Sequence, residues 1–169
     1  MVAGSFASTF HGMVRATQDV DVVVVLDRPG VRRLVAELPE DRWYVSEEAA
    51  LDAVRRGSQF NVLDMETGWK ADLIVRKARP FSRAEFDRRE RAELLGVTTW
   101  VATAEDTIVA KLEWRAKGGG SERQLADVVG ILRAVGDRLD RPYVDRWISA
   151  LGLADGWAEA QRVAGAKDA

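Results

Sequence analysis

The chain has 169 residues, 47% of them apolar and 31% charged, with a formal net charge of −2 and no cysteine. That is long enough for one domain, or one and a small appendage, around a real core, and it excludes a disulfide framework, thiolate catalysis and a cysteine-ligated zinc site. Near-neutral charge gives no global pull toward nucleic acid, no apolar stretch approaches the ~20 residues of a membrane span, and no basic-then-apolar leader opens the chain, so any RNA contact has to be local and the expected compartment is the cytoplasm.

Met1-Val2-Ala3 reads as the end of a strand, Gly4-Ser5 as a turn, and residues 6–12 as the start of a helix. A Gly-Ser turn entering a helix offers free backbone N–H groups and the positive end of the helix dipole, which suits a phosphate, and the glycine lets a ligand approach the backbone. Taken alone, the same turn is an ordinary helix cap. Asp19-Val20-Asp21 then opens the apolar run Val22-Val23-Val24-Val25-Leu26, a buried strand by its valines and its bounds. Strand side chains alternate faces, so Asp19 and Asp21 project side by side. Two adjacent carboxylates repel and are costly to desolvate, and a hard divalent cation such as Mg²⁺ or Mn²⁺ removes both costs by taking oxygen ligands.

Residues 29–38 form a helix with Val31, Leu34, Val35 and Leu38 on one stripe. Trp43-Tyr44-Val45 is a short strand, and Ser46 caps a helix reaching Arg56, with Glu47 and Glu48 in its first turn and Gly57 ending it. Residues 60–64 and 70–75 read as two strands joined by Met65-Glu66-Thr67-Gly68, a hairpin. Asp72 precedes the apolar part of the second strand. Beside the first strand it completes a three-carboxylate cluster; otherwise it is a polar strand start. Residues 82–95 read as a heavily charged amphipathic helix ended by Gly96, and residues 97–101 as one more strand. The arginines and lysine from Arg76 to Arg91 are interrupted by Glu85, Asp87 and Glu90, the pattern of a solvated, salt-bridged surface, with an RNA-backbone contact as the alternative.

Beyond Val101 the pattern is helical: residues 103–117, 121–139, 142–151 and 154–164. Thr103 with Asp106 resembles a capping arrangement. Ile108, Leu112 and Trp114 are expected to pack inward, which leaves Lys111 at a core edge or in a cleft, whereas a helix lysine is more commonly a solvated surface charge. Gly118-Gly119-Gly120 reads as a flexible connection, Asp127 as part of a helix face, His11 (the sole histidine) as structural, the six tryptophans mostly as core or interface anchors, and residues 165–169 as fraying. The fold class is α+β: a small mixed sheet flanked by helices over residues 1–101, then a helical bundle over 102–169 that packs on it.

Gly4-Ser5, a helix, Arg15-Ala16-Thr17-Gln18-Asp19-Val20-Asp21 and the later Ala71-Asp72-Leu73 together resemble the DNA polymerase β-like nucleotidyltransferase superfamily. The likeness is to its minimal branch, which includes the abortive-infection nucleotidyltransferase toxins. Residues 104–112 and 123–128 resemble the helical half of those proteins, and motif match makes Lys111 and Asp127 active-site candidates. Arg115 follows Lys111 after three residues where the family has four, and receives no role. The family also has a helix before the first strand, which implies a longer natural form of this chain.

The resemblance implies a metal-dependent transfer of a nucleoside monophosphate from a nucleoside triphosphate to an acceptor hydroxyl. Asp19, Asp21 and Asp72 would hold one or two Mg²⁺ (or Mn²⁺) ions, and Gly4 and Ser5 the β- and γ-phosphates. Arg15 and Thr17 would orient the aspartate strand or touch phosphate, Lys111 would offset phosphate charge, and Asp127 would complete the set. RNA ends, protein hydroxyls and small molecules all fit as acceptors, and an antitoxin fits as a partner. The rival from another class is a catalytically silent module of the same fold that binds a toxin–antitoxin or other partner; intact acids argue against it. A metal-dependent glycosyltransferase also uses Asp-x-Asp, and is disfavoured by the Gly-Ser turn and the small size.

Overall fold

The computed structural model describes residues 1–13, 17–118 and 121–166. Arg15, Gly119, Gly120 and residues 167–169 lie outside the described residues. The chain divides into two compact units, Met1–Phe6 with Ala16–Val101, and Ala7–Arg15 with Ala102–Ala169.

The first unit is built on a four-stranded mixed sheet. Strands β1 (Asp19–Val24), β2 (Trp43–Val45), β3 (Gln59–Asp64) and β4 (Lys70–Val75) lie in the order β1-β4-β3-β2. β1 and β4 are parallel, and the other pairs are antiparallel. Two helices follow β1 and β2 in the chain. Asp27 caps the N-terminus of α2 (Arg28–Glu37), its carboxylate accepting from the Gly30 N–H at 2.7 Å, with Pro29 in the first turn. Ser46 caps α3 (Glu47–Arg56), and Gly57 ends it at φ +62, where a side chain would be strained. One face of the sheet and these helices share a core of Val31, Ala50, Ala53, Phe60, Val62 and Val75, with Ala71, Leu73 and Trp43 packed against it. Full burial of each valine or phenylalanine there contributes roughly 1.5–3 kcal/mol over leaving it exposed. Because side chains alternate, Lys70 and Asp72 project from the opposite face of β4.

Asp64 holds the β3–β4 hairpin. Its Oδ1 accepts from the Glu66 N–H at 3.0 Å and the Thr67 N–H at 3.4 Å, and Arg42 donates to Oδ2 at 3.2 Å. Met1-Val2-Ala3 is an extended segment in which Val2 makes single bridges to Val22 and to Val101, and the Ala3 N–H donates to the Asp21 carbonyl at 2.9 Å.

The segment expected as one helix over residues 82–95 is half helix and half strand. α4 is Pro80–Asp87, and β5 (Glu90–Leu94) pairs antiparallel with β6 (Val97–Val101). Leu95 and Gly96 both have positive φ, 51 and 77, which is what a two-residue hairpin turn of matching twist demands. The adjacent Val97-Thr98-Thr99-Trp100-Val101 supplies a β-prone partner, and a local pairing outcompetes the weak charged helical pattern. Arginines of the basic stretch cover aromatic rings here: Arg89 lies over Phe86 and Trp100, Arg76 over Phe86 and Arg79 over Phe81.

The second unit is helical. α5 (Ala104–Lys117) packs against α6 (Glu122–Val135), α7 (Arg141–Leu151) and α8 (Ala154–Gly165), and α6 also packs against α8. Helix α6 stops before the expected Leu139: Gly136 at φ +58 opens a 3₁₀ turn, Gly136–Arg138. Thr103 caps α5 as expected, its Oγ1 accepting from the Asp106 N–H at 3.2 Å and donating to Asp106 Oδ2 at 2.7 Å. Asp106 is fully buried, and its Oδ1 also accepts from the Tyr143 hydroxyl at 2.5 Å, a tie from α5 to α7. The His11 Nε2 lies 2.7 Å from the Ala102 carbonyl. One expectation fails: Trp114 is 62% exposed, not packed inward, and Trp69 and Trp100 are also exposed. Lys111 is 4% exposed, away from solvent rather than the common surface charge, because its counter-ion stands on the next helix. Strands with helices, then helices alone, make an α+β fold with a mixed-sheet core and a helical tail.

The Asp64 clasp has a pH signature. Burial works to raise the Asp64 carboxyl, but the Arg42 guanidinium, the Glu66 and Thr67 N–H groups and the Thr67 hydroxyl outweigh it and hold the group below the usual carboxylate range. A carboxyl depressed in the folded state adds stability above its unfolded value of ~3.9, and that stability is lost as pH falls through the folded value. Asp64→Asn is therefore expected to melt below wild type at pH 7, and the gap should close as the pH drops under about 4. A gap that stays constant in melts carried well below that pH would contradict the clasp.

Candidate metal and nucleotide site

The pairing of β1 with β4 brings the candidate residues together. Asp19 stands opposite Lys70 and Asp21 opposite Asp72, so four side chains, three acidic and one basic, form a two-by-two block on the face away from the α2–α3 core. Asp72 thus lies beside the first aspartate strand rather than at a solvent edge; its side chain is 13% exposed. Asp19 is the outermost of the three, with a side chain 58% exposed.

Lys70 is a member of this block that sequence reasoning passed over. Its ammonium lies 3.3 Å from Asp72 Oδ2 and 3.6 Å from Asp19 Oδ1. Partial burial works to lower its pKa, but the hydrogen bond and charge of Asp72, then those of Asp19, prevail and raise it. The signal was present: Lys70 is two residues before Asp72 and so shares its face. Asn61 on β3 is the other residue missed. It is the antiparallel partner of Asp72, exposed on the same face.

Gly4 opens α1 (Gly4–Phe10) at φ +57, with Ser5 next to it inside the helix. A Cβ at Gly4 would run into the Asp21 carboxylate, so only glycine lets the backbone pass this close to the acid. The Thr17 hydroxyl accepts from the Asp19 N–H at 3.3 Å and lies 3.2 Å from the Asp19 carbonyl, fixing the chain as it turns into β1.

The donor set suits a hard cation. All three acids offer carboxylate oxygens, and Asp72 Oδ1 is buried with no hydrogen-bond partner among the described residues. Among the described residues no group of three or more His, Asp or Glu side chains is already arranged to hold a metal ion. Mg²⁺ is usually held by one or two carboxylates together with substrate phosphates, so it would not require three protein ligands in place beforehand.

Lys111 and Asp127, on α5 and α6, form a pair inside the helical unit. Lys111 Nζ donates to Asp127 Oδ2 at 2.6 Å and to Gln124 Oε1 at 3.2 Å, and Asp127 is 1% exposed. Arg115, one turn beyond Lys111, is bonded to Glu159 at 2.8 Å.

No protein-family model matches the chain, and no curated protein matches it. Among solved structures, an antigenic nucleotidyltransferase-like protein from Paracoccidioides brasiliensis is similar over 95% of this chain and 83% of its own, with a TM-score of 0.50 and 13% identity. The fold is nucleotidyltransferase-like. At that identity the likeness speaks for the fold, and the site has to be argued from its own residues.

In this nucleotidyltransferase-like fold the Lys111–Asp127 pair carries stability whatever else it does. Removing one partner of a buried pair strands the other charge, at a cost of about 3–5 kcal/mol, whereas replacing both by apolar groups is often near neutral. Lys111→Met should lose stability in that range by denaturant unfolding, and Lys111→Met/Asp127→Leu should regain most of it. A double variant no more stable than the single one would mean that the two charges are not each other's main partner.

Proposed function

We propose that this protein is a metal-dependent nucleotidyltransferase, moving a nucleoside monophosphate from a nucleoside triphosphate to an acceptor hydroxyl. The observation that carries the reading is the Asp21–Asp72 register, with Asp19 on the same face and Asp72 Oδ1 buried without a hydrogen-bond partner among the described residues. The nucleotidyltransferase-like fold and the Gly-Ser start of α1 support it.

In this reading Asp19, Asp21 and Asp72 would hold Mg²⁺ or Mn²⁺. When bound, the ion supplies charge neutralisation for the triphosphate and lowers the pKa of the acceptor hydroxyl. The acceptor oxygen bonds to the α-phosphorus, the bond from that phosphorus to the bridging oxygen breaks, and pyrophosphate leaves in line. Asp72 takes the acceptor proton at a carboxylate oxygen. Gly4 and Ser5 receive the outer phosphates through backbone N–H groups and the Ser5 hydroxyl. Thr17 acts through the Asp19 backbone, as a positioning residue. Arg15, Lys111 and Asp127 enter with the roles that the family resemblance gives them. An RNA end, a protein hydroxyl, including a toxin-type target, or a small molecule serves as acceptor.

The test is transfer of label from an α-labelled nucleoside triphosphate to candidate acceptors, wild type beside Asp21→Asn. Loss of at least about a hundredfold is expected with the melting temperature held within a few degrees, the scale on which removing one electrostatic group acts. Label transfer undiminished in Asp21→Asn would contradict the reading. No transfer by folded wild type to any acceptor would favour the silent, partner-binding module.

A further inference from the structure

We infer that Lys70 is a resident counter-ion of the candidate metal site, which a divalent cation must displace, so that Lys70 sets how tightly the site takes metal on its own. The inference rests on the nucleotidyltransferase reading and deepens it.

Three carboxylates on one face of a parallel strand pair need positive charge nearby. Lys70 supplies it in this structure, its ammonium within 3.6 Å of Asp19 Oδ1 and 3.3 Å of Asp72 Oδ2. Its position is built rather than incidental: the register sets it opposite Asp19 and two residues from Asp72, with the side chain only 34% exposed. Asp72 has one oxygen on the ammonium and the other, Oδ1, buried without a hydrogen-bond partner among the described residues. This is a half-satisfied carboxylate, poised for a second cation.

Lysine is suited to the role because its charge sits at the end of a flexible four-carbon stem and can swing without moving the strand. A divalent ion bound by Asp21 and Asp72 would face the ammonium at short range. Like charges repel, and the ion pairs of Lys70 with Asp19 and Asp72 have to break or lengthen. A metal that arrives with a triphosphate brings negative charge that can receive the displaced ammonium; a bare metal ion does not. The site should therefore take free metal poorly and metal–nucleotide well.

The test is calorimetric titration with Mn²⁺ alone of the wild-type chain, Lys70→Met, Lys70→Arg and Lys70→Met/Asp72→Asn, with melting curves of each in chelator. Losing two partly exposed ion pairs corresponds to roughly tenfold in affinity, so Lys70→Met should bind Mn²⁺ about ten times more tightly than wild type. Lys70→Arg, which keeps the charge, should stay near wild type, and the double variant should lose the gain. Lys70→Met should also melt lower in chelator and show a larger upward shift on adding Mn²⁺. Equal Mn²⁺ affinity in wild type and Lys70→Met, or weaker binding in the variant, would overturn the counter-ion role while leaving the metal site standing. No Mn²⁺ binding by folded wild type and folded Lys70→Met alike would overturn the counter-ion role, and no binding of a Mn²⁺–nucleoside triphosphate complex by either would overturn the reading on which it rests.

Discussion

The parallel hydrogen bonding of β1 to β4 is the constraint on which the site depends. With side chains alternating strictly, a slip of one residue would put Asp21 opposite Ala71 or Leu73 and turn one set of acids into the hydrophobic core. The core prevents that slip. Ala71, Leu73 and Val75 on one face of β4, with Phe60 and Val62 on β3, fill the space over α2 and α3, and only the observed register keeps them there. The apolar half of each strand thus holds the polar half in place, and the Asp64 clasp at the hairpin end adds a second restraint on β4.

The electrostatic arrangement follows from that geometry. Acids brought side by side are a liability in a fold unless something cationic is supplied. Here Lys70 does so from within the block, and Gly4 allows the α1 backbone to come up against Asp21. The helical unit solves a similar problem differently. There Lys111 and Asp127 bury their charges against each other, with Gln124 as a further acceptor, and Asp106 is satisfied by Thr103 and Tyr143.

Much of this was legible in the sequence, for reasons that can be named. The valine run after Asp21 and the turn residues between β3 and β4 carry strong local signals, so the strands and the shared face of Asp19 and Asp21 could be read directly. That Asp72 joins them required a pairing between strands almost fifty residues apart, and it was inferred from the motif. The β5 strand was misread as helix because Glu90-Arg91-Ala92-Glu93-Leu94 has good helix formers; only its pairing with β6 through the Leu95-Gly96 turn overrides them. The pairing of Lys111 with Asp127 is not legible in the sequence, because the two stand sixteen residues apart on different helices. Lys70 carries no motif signal of its own, but strand alternation puts it on the face of Asp72.

The central claim is that the β1–β4 face binds a metal–nucleotide complex. Calorimetric titration of each nucleoside triphosphate, with Mg²⁺ and with chelator, against wild type and against Asp19→Asn/Asp21→Asn tests it most directly. The account predicts binding that requires both the metal and the aspartates. Binding that survives in chelator or in the double variant, or no binding by a folded wild-type chain, would contradict it.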